Sequence, residues 1–155
     1  MEGKEGLPVA DTTVVAHLEY EAARIATNEP EQAFSAKMRL AWALAHSERG
    51  RVDYERATRM IEDMMEVTSD VKREDREVMN ELLYLKAVAN LNTDDLITAH
   101  YTVTKLLERS PRSNQGNALK GRINNEILKK GLAGIGILAG VVTVGVTLAM
   151  RLAKR

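Results

Sequence analysis

Twenty consecutive residues, Gly131 to Met150, carry no charge, and they constrain this chain more than any other stretch of it. As a helix rising about 1.5 Å per residue they would extend roughly 30 Å, the thickness of a bilayer's hydrocarbon core. The run reads GLAGIGILAGVVTVGVTLAM, with Lys129 and Lys130 before it and Arg151, Lys154 and Arg155 after it. Those five cations are placed to hold both ends of a spanning helix in the headgroup regions. A helix buried in a soluble core usually has a shorter apolar run, and a secretory signal stands at the other terminus. The sequence therefore predicts one transmembrane helix over residues 131–150. Only residues 151–155 follow, so the expected product is a tail anchor inserted after translation, with the larger amino-terminal part in the cytosol. Both flanks are basic, so this orientation rests on the sizes of the two sides and not on counting Lys and Arg. Within the run Gly136 and Gly140 form a GxxxG spacing, at which two such helices could pack into a homo-oligomer.

About 130 residues remain, enough for one domain with its own core. All 22 acids precede the uncharged run, while five of the 22 cations flank or follow it. Residues 1–128 thus hold 17 cations against 22 acids, a net charge of −5. Nucleic-acid binding normally needs a basic face, so no nucleic-acid partner is expected. The chain has no Cys, which excludes a disulfide scaffold, a thiolate metal site and a cysteine nucleophile.

Nothing before the run alternates apolar and polar residues for long enough to suggest a strand, and apolar residues recur at helical spacing instead. Residues 1–12, with Gly3, Gly6 and Pro8, read as a flexible arm. Six helices are predicted over residues 13–130. The first spans about Thr13 to Thr27, with Val14, Leu18 and Ile25 toward one side. The second, Glu31 to Ser47, carries Phe34, Met38, Ala41, Trp42 and Ala45. Arg49-Gly50-Arg51 turns the chain into a third, Tyr54 to Val67, with Ala57, Met60, Ile61, Met64 and Met65. A polar connection leads to the fourth, Asp75 to Leu91, with Val78, Met79, Leu82, Leu85 and Val88. Asn92-Thr93-Asp94-Asp95 reads as an N-cap with acids in the first turn of the fifth, which runs to Arg109 through Ile97, Tyr101, Val103, Leu106 and Leu107. Ser110-Pro111 precedes a sixth, Ser113 to Lys130, expected to continue into the membrane span.

The second and third helices repeat in the fourth and fifth. Ala41-Trp42 matches Ala87-Val88, Ala57 matches Ala99, and Met64-Met65 matches Leu106-Leu107. Small residues fall where the two helices of a hairpin approach, large ones where hairpins meet, and Pro111 closes the second unit. That is the tetratricopeptide pattern. Two units are fewer than such folds usually need, so the first and sixth helices are expected to cap them.

The chain resembles the mitochondrial fission 1 protein family in Ala41-Trp42-Ala43-Leu44, in Leu83 to Val88, in Leu106 to Gln115, and in Lys129 to Gly134 opening a Gly-rich span. It departs from that family's pattern at Ala89, where Gly is usual, and at Leu91, where an aromatic is common. The resemblance implies an all-α, six-helix tetratricopeptide-like bundle with a tail anchor in the mitochondrial outer membrane, and also in peroxisomes. It implies recruitment of a dynamin-related GTPase or its adaptor proteins.

No constellation of enzyme chemistry is visible, and no cofactor is expected. His17, His46 and His100 stand apart, Glu62-Asp63 and Asp94-Asp95 read as solvated faces and caps, and no glycine-rich loop could cradle a phosphate. Met60, Met64 and Met65 read as gap-filling core. The expected partner surface is a groove on the first helix of each hairpin, lined by Met38, Trp42 and Ala45 from one and Tyr84, Val88 and Leu91 from the other. Trp42 reads equally as a core residue, since Trp is highly buried on average. An alternative function, a tail-anchored tetratricopeptide receptor for chaperone or import clients, would want a basic clamp for acidic carboxylates, and this groove is mainly apolar.

Overall fold

Each helix of the chain begins and ends where its local chemistry requires. The computed structural model describes residues 7–69 and 76–132. These form α1 (Thr12–Asn28), a 3-10 turn (Pro30–Gln32), α2 (Ala33–Ala45), α3 (Arg51–Ser69), α4 (Arg76–Asn92), α5 (Leu96–Arg109) and α6 (Asn114–Lys129). The side chains of Asp11, Asp95 and Ser113 cap α1, α5 and α6 by accepting from the amides of Val14, Thr98 and Gly116. Asp94 and Asp95 therefore lie before α5 and not within its first turn. Gly50, at φ +88°, makes the left-handed turn that lets α3 start at Arg51, three residues before the predicted Tyr54.

Successive helices pack against one another, and α2 also touches α4, as α4 touches α6. The even-numbered helices thus form the inner layer of a curved stack, as in tetratricopeptide folds. Ala41 and Ala57 in one hairpin, and Ala87 and Ala99 in the other, are completely buried, so the small residues of the repeat sit at the close approaches. Leu44, Ile61, Leu82, Leu85, Val103 and Ile123 fill the core around them.

Three expectations change. Residues 7–11 belong to the fold: the Ala10 amide donates to the His46 carbonyl at 2.9 Å, the Glu48 amide donates to the Ala10 carbonyl at 3.0 Å, and Ala10 is buried. Only residues 1–6 of the predicted arm lie outside the described residues. On α1 the buried residue is Val15, with Val14 exposed, because the inward stripe runs through Val15, Leu18, Ala22 and Ile25. On α5 Ile97 and Tyr101 are exposed, since Ala99, Thr102, Val103 and Leu106 face the core. Thr102 is tolerated there because its hydroxyl donates to the Thr98 carbonyl at 2.7 Å.

The predicted continuation of α6 into the apolar run is also corrected. Gly131 takes φ +66°, its amide donates to the Leu128 carbonyl, and the Leu132 amide donates to the Ile127 carbonyl, both at 3.0 Å. This pair of bonds is a Schellman stop, and Leu132 folds back against the core. Among the described residues no helix is long and apolar enough to cross a membrane. The run beyond Leu132, with Gly136, Gly140, Arg151, Lys154 and Arg155, lies outside them.

Candidate functional site: a groove between α2 and α4

α2 and α4 open their respective hairpins and run in the same direction. Their C-terminal ends are tied together, the Asn92 side-chain amide donating to the Ala45 carbonyl at 2.9 Å. From that closed end the two helices open into a groove that runs from Trp42 and Tyr84 toward their N-termini, in two adjoining hollows. One lies among Leu18 of α1, Phe34, Met38 and Trp42 of α2, and Val78 and Glu81 of α4. The other lies among Trp42, Glu77, Asn80, Glu81 and Tyr84, reaching toward Ser113 at the start of α6. Trp42 and Glu81 border both hollows and form the wall between them.

Of the six residues predicted to line this groove, Met38, Trp42 and Tyr84 do so. Ala45, Val88 and Leu91 do not: each is completely buried. Ala45 and Leu91 occupy the last turns of α2 and α4, where the helices converge, and so contribute to the core. Val88, the repeat equivalent of Trp42, is enclosed in the cluster to which α6 supplies Leu119, Ile123 and Ile127. The position one turn earlier, Met38 in the first unit and Tyr84 in the second, is half-buried in both.

Trp42 combines the two roles that its sequence context suggests. It is 37% exposed, yet its ring stands 4.8 Å from that of buried His46, tilted by 31°. His46 Nδ1 donates to the Trp42 carbonyl at 2.8 Å, and His46 Nε2 is buried without a polar partner among the described residues. Burial lowers the His46 pKa, partly opposed by that carbonyl, so the imidazole is held neutral behind the groove wall. Burial likewise raises the pKa of the Tyr84 phenol, with Arg122 of α6 opposing it, so Tyr84 offers a neutral ring and hydroxyl. Arg39 on the groove edge is engaged by Glu21 at 3.0 Å. Among the described residues Glu77 and Glu81 give the α4 side of the groove an acidic character.

The contribution of Leu18 and Glu81 went unrecognised in the sequence. Leu18 sits on a helix outside the repeats, and a single exposed Glu has no motif. Phe34 and Val78 belong to the helical spacings of α2 and α4 without being singled out as groove residues. A usable signal exists on α2, where Ala36, Leu40, Ala41, Ala43 and Leu44 already fill the buried face, leaving the bulky Phe34, Met38 and Trp42 at i, i+4 and i+8 on another. Lys129 and Lys130, predicted membrane flanks, form ion pairs with Glu126 at 3.0 Å and Asp94 at 2.7 Å. Among the described residues no cluster of His, Asp and Glu converges as a metal site.

Residues 80–132 match the sequence model of the Fis1 C-terminal tetratricopeptide repeat. Mitochondrial fission 1 protein B of Arabidopsis thaliana is 33% identical over 90% of this chain and 77% of its own length. Mitochondrial fission 1 protein A of the same plant is 33% identical over 96% and 88%. Among solved structures, the fission protein Fis1 of Saccharomyces cerevisiae superposes with a TM-score of 0.63 at 18% identity, covering 83% of this chain and 98% of that one. Yeast Fis1 in complex with an Mdv1 fragment, containing N-terminal extension and coiled-coil domains, gives 0.60 at 20% identity over 75% and 86%.

Proposed function

The chain belongs to the mitochondrial fission 1 protein family, and on that premise we propose that it is a tail-anchored, non-enzymatic adaptor of the mitochondrial outer membrane. In this reading residues 133–150 of the uncharged run span the bilayer ahead of the basic tail of Arg151, Lys154 and Arg155, Lys129 and Lys130 stand at the near surface, and the helical domain faces the cytosol. The α2–α4 groove captures dynamin-related fission machinery, directly or through an adaptor. The observation that carries it is the placement of Met38, Trp42 and Tyr84, three bulky anchors left uncovered along one groove whose far end is closed. Such anchors suit an amphipathic helix or an extended segment. The yeast relative that holds a coiled-coil fragment supports a partner of that kind. Anchoring confines many copies of the groove to one surface, so modest contacts with an oligomeric partner add up through effective concentration.

The test is made in cells whose only copy of the chain carries Met38→Ala and Tyr84→Ala together. Both side chains are half-buried, so the domain should keep its fold and the full chain its mitochondrial location. Fission-GTPase foci on mitochondria should fall several-fold and the organelles should lengthen. Normal foci and normal organelle length in a stably expressed double variant would remove the groove from the mechanism.

A further inference from the structure

The turn that stops α6 also fixes where the domain meets the span. Leu132, the second residue of the uncharged run, is already folded against the core. The eighteen residues from 133 to 150 would reach about 27 Å as a helix, barely the hydrocarbon thickness, so none is spare for a tether. Lys130, just before the stop, is pinned to Asp94 in the α4–α5 turn at 2.7 Å. If the run spans, the end of the bundle around Gly131 must stand at the bilayer surface.

That end can be mapped from its contacts. The α4–α5 turn adjoins the end of α2 through the Asn92–Ala45 bond. Arg51 at the start of α3 lies within reach of Asp94, whose charge adds to the larger effect of Glu55 on its guanidinium. Residues 9 and 10 cross the α2–α3 turn, where Ala10 bonds His46 and Glu48. The same end carries four exposed aliphatic side chains: Val9 is 65% exposed, Val52 69%, Ile97 54% and Leu128 59%. Its charges are largely satisfied within the fold. Lys129 pairs with Glu126, Arg51 with Glu55 and Lys130 with Asp94, while Asp11 and Asp95 cap helices and Glu48 accepts from Thr12.

We propose that this end, made of the α2–α3 turn, the α4–α5 turn and the last turn of α6, is a membrane-docking face seated on the lipid interface through Val52, Ile97 and Leu128. The inference rests on the reading of residues 133–150 as a membrane span. Internal charge pairing makes the contact an aliphatic one, in which side chains enter the headgroup boundary without attraction to a particular lipid charge. Its consequence concerns the groove. The closed end of α2 and α4 lies toward the lipid, and the groove runs outward from there along α2, whose whole length is about 20 Å. The anchors are thereby presented to the cytosol at a fixed attitude.

The chain has no Cys, so single cysteines can report this directly. Full-length chains carrying Val52→Cys or Ile97→Cys, labelled with a fluorophore, are reconstituted into phosphatidylcholine vesicles containing a lipid with a nitroxide near its headgroup. Val67→Cys and Tyr20→Cys serve as controls. Val67 is also exposed but lies sixteen residues along α3 from Arg51, about 24 Å from the proposed face. Probes at 52 and 97 should be quenched at least twofold more than those at 67 and 20, and should stay so in about 1 M salt, where exposed charges are screened. Leu128→Cys replaces either test site should its labelled chain melt below wild type. Flotation with the vesicles after alkaline carbonate washing is scored first. Chains that float but show equal quenching at all sites overturn the docking face alone, whereas chains that do not float overturn the span reading with it. Quenching abolished by salt would assign the contact to charge and overturn the aliphatic docking.

Discussion

His46 shows how one residue can tie the site to the stability of the domain. Its ring is buried behind Trp42, Nδ1 is engaged by the Trp42 carbonyl, and among the described residues Nε2 has no partner that could share a second proton. Burial holds its folded pKa below the ordinary value of 6.5. The folded state therefore binds fewer protons than the unfolded chain in acid, so stability rises with pH through this window. The His46 contribution is complete above about pH 6.5 and is lost as the pH falls from there toward the lowered folded pKa. Urea midpoints measured between pH 7.5 and 5 should drop less for His46→Gln than for wild type, once each is normalised to its own value at pH 7.5. Parallel acid limbs in the two proteins would show that His46 is not the group that titrates. The sequence offered three scattered histidines and no means of choosing among them, because burial of a His at a helix C-terminus depends on what crosses it. Here it is the segment containing Ala10, whose amide bonds the His46 carbonyl, and whose own order was not legible behind Gly3, Gly6 and Pro8. Trp42 was left open between groove and core for a sound reason: one face of its ring stacks toward His46 while another borders the groove.

At the level of elements, the two helical glycines of α6 should respond to substitution with opposite signs. A Cβ on Gly116 would lie 3.0 Å from Leu107 Cδ2 and 3.1 Å from the Ser113 hydroxyl that caps the helix, with buried Leu106 at 3.3 Å. Gly121 faces open space. Gly121→Ala should stabilise by about 0.5–1 kcal/mol through the usual helical advantage of Ala over Gly. Gly116→Ala should lose that gain to overpacking and destabilise by about 1 kcal/mol net. Chemical denaturation of the two variants decides it, and equal stabilisation by both would mean that α6 does not need Gly116 to approach α5. The helices themselves were legible because Pro30, Gly50 and Ser113 punctuate strong 3.6-residue spacings. Their exact inward faces were less so. α1 packs mainly on α2, so a narrow stripe suffices, and shifting it by one residue exchanges Val14 for Val15. The Schellman stop was hidden because Gly131 opens a run rich in glycine, where one more Gly carries no punctuation.

The repeat pattern gave the architecture of the whole molecule, since Ala41, Ala57, Ala87 and Ala99 mark close approaches that only stacked hairpins provide. Of the six residues it assigned to a groove on α2 and α4, Met38, Trp42 and Tyr84 border the hollows between those helices, while Ala45, Val88 and Leu91 are buried. The error at Ala45, Val88 and Leu91 came from treating two units as equivalent along their full length. In the folded chain α2 and α4 converge at one end and open at the other, and α6 closes over the second unit only. That asymmetry leaves uncovered the stretch from Phe34 to Trp42 facing Val78 to Tyr84, which is the surface the proposed function uses. Trp42 is the sole tryptophan, so its emission reports on the groove without labelling. The decisive measurement is a fluorescence titration of residues 1–132, which retain the α6 stop, with the coiled-coil fragment of the cognate fission adaptor. Saturable movement of the Trp42 emission is expected, with Tyr84→Ala weakening binding by about 1–2 kcal/mol, roughly five- to thirtyfold, at an almost unchanged melting temperature. Binding that saturates in a parallel pull-down while Trp42 emission stays fixed, and that Tyr84→Ala leaves intact, would contradict the account.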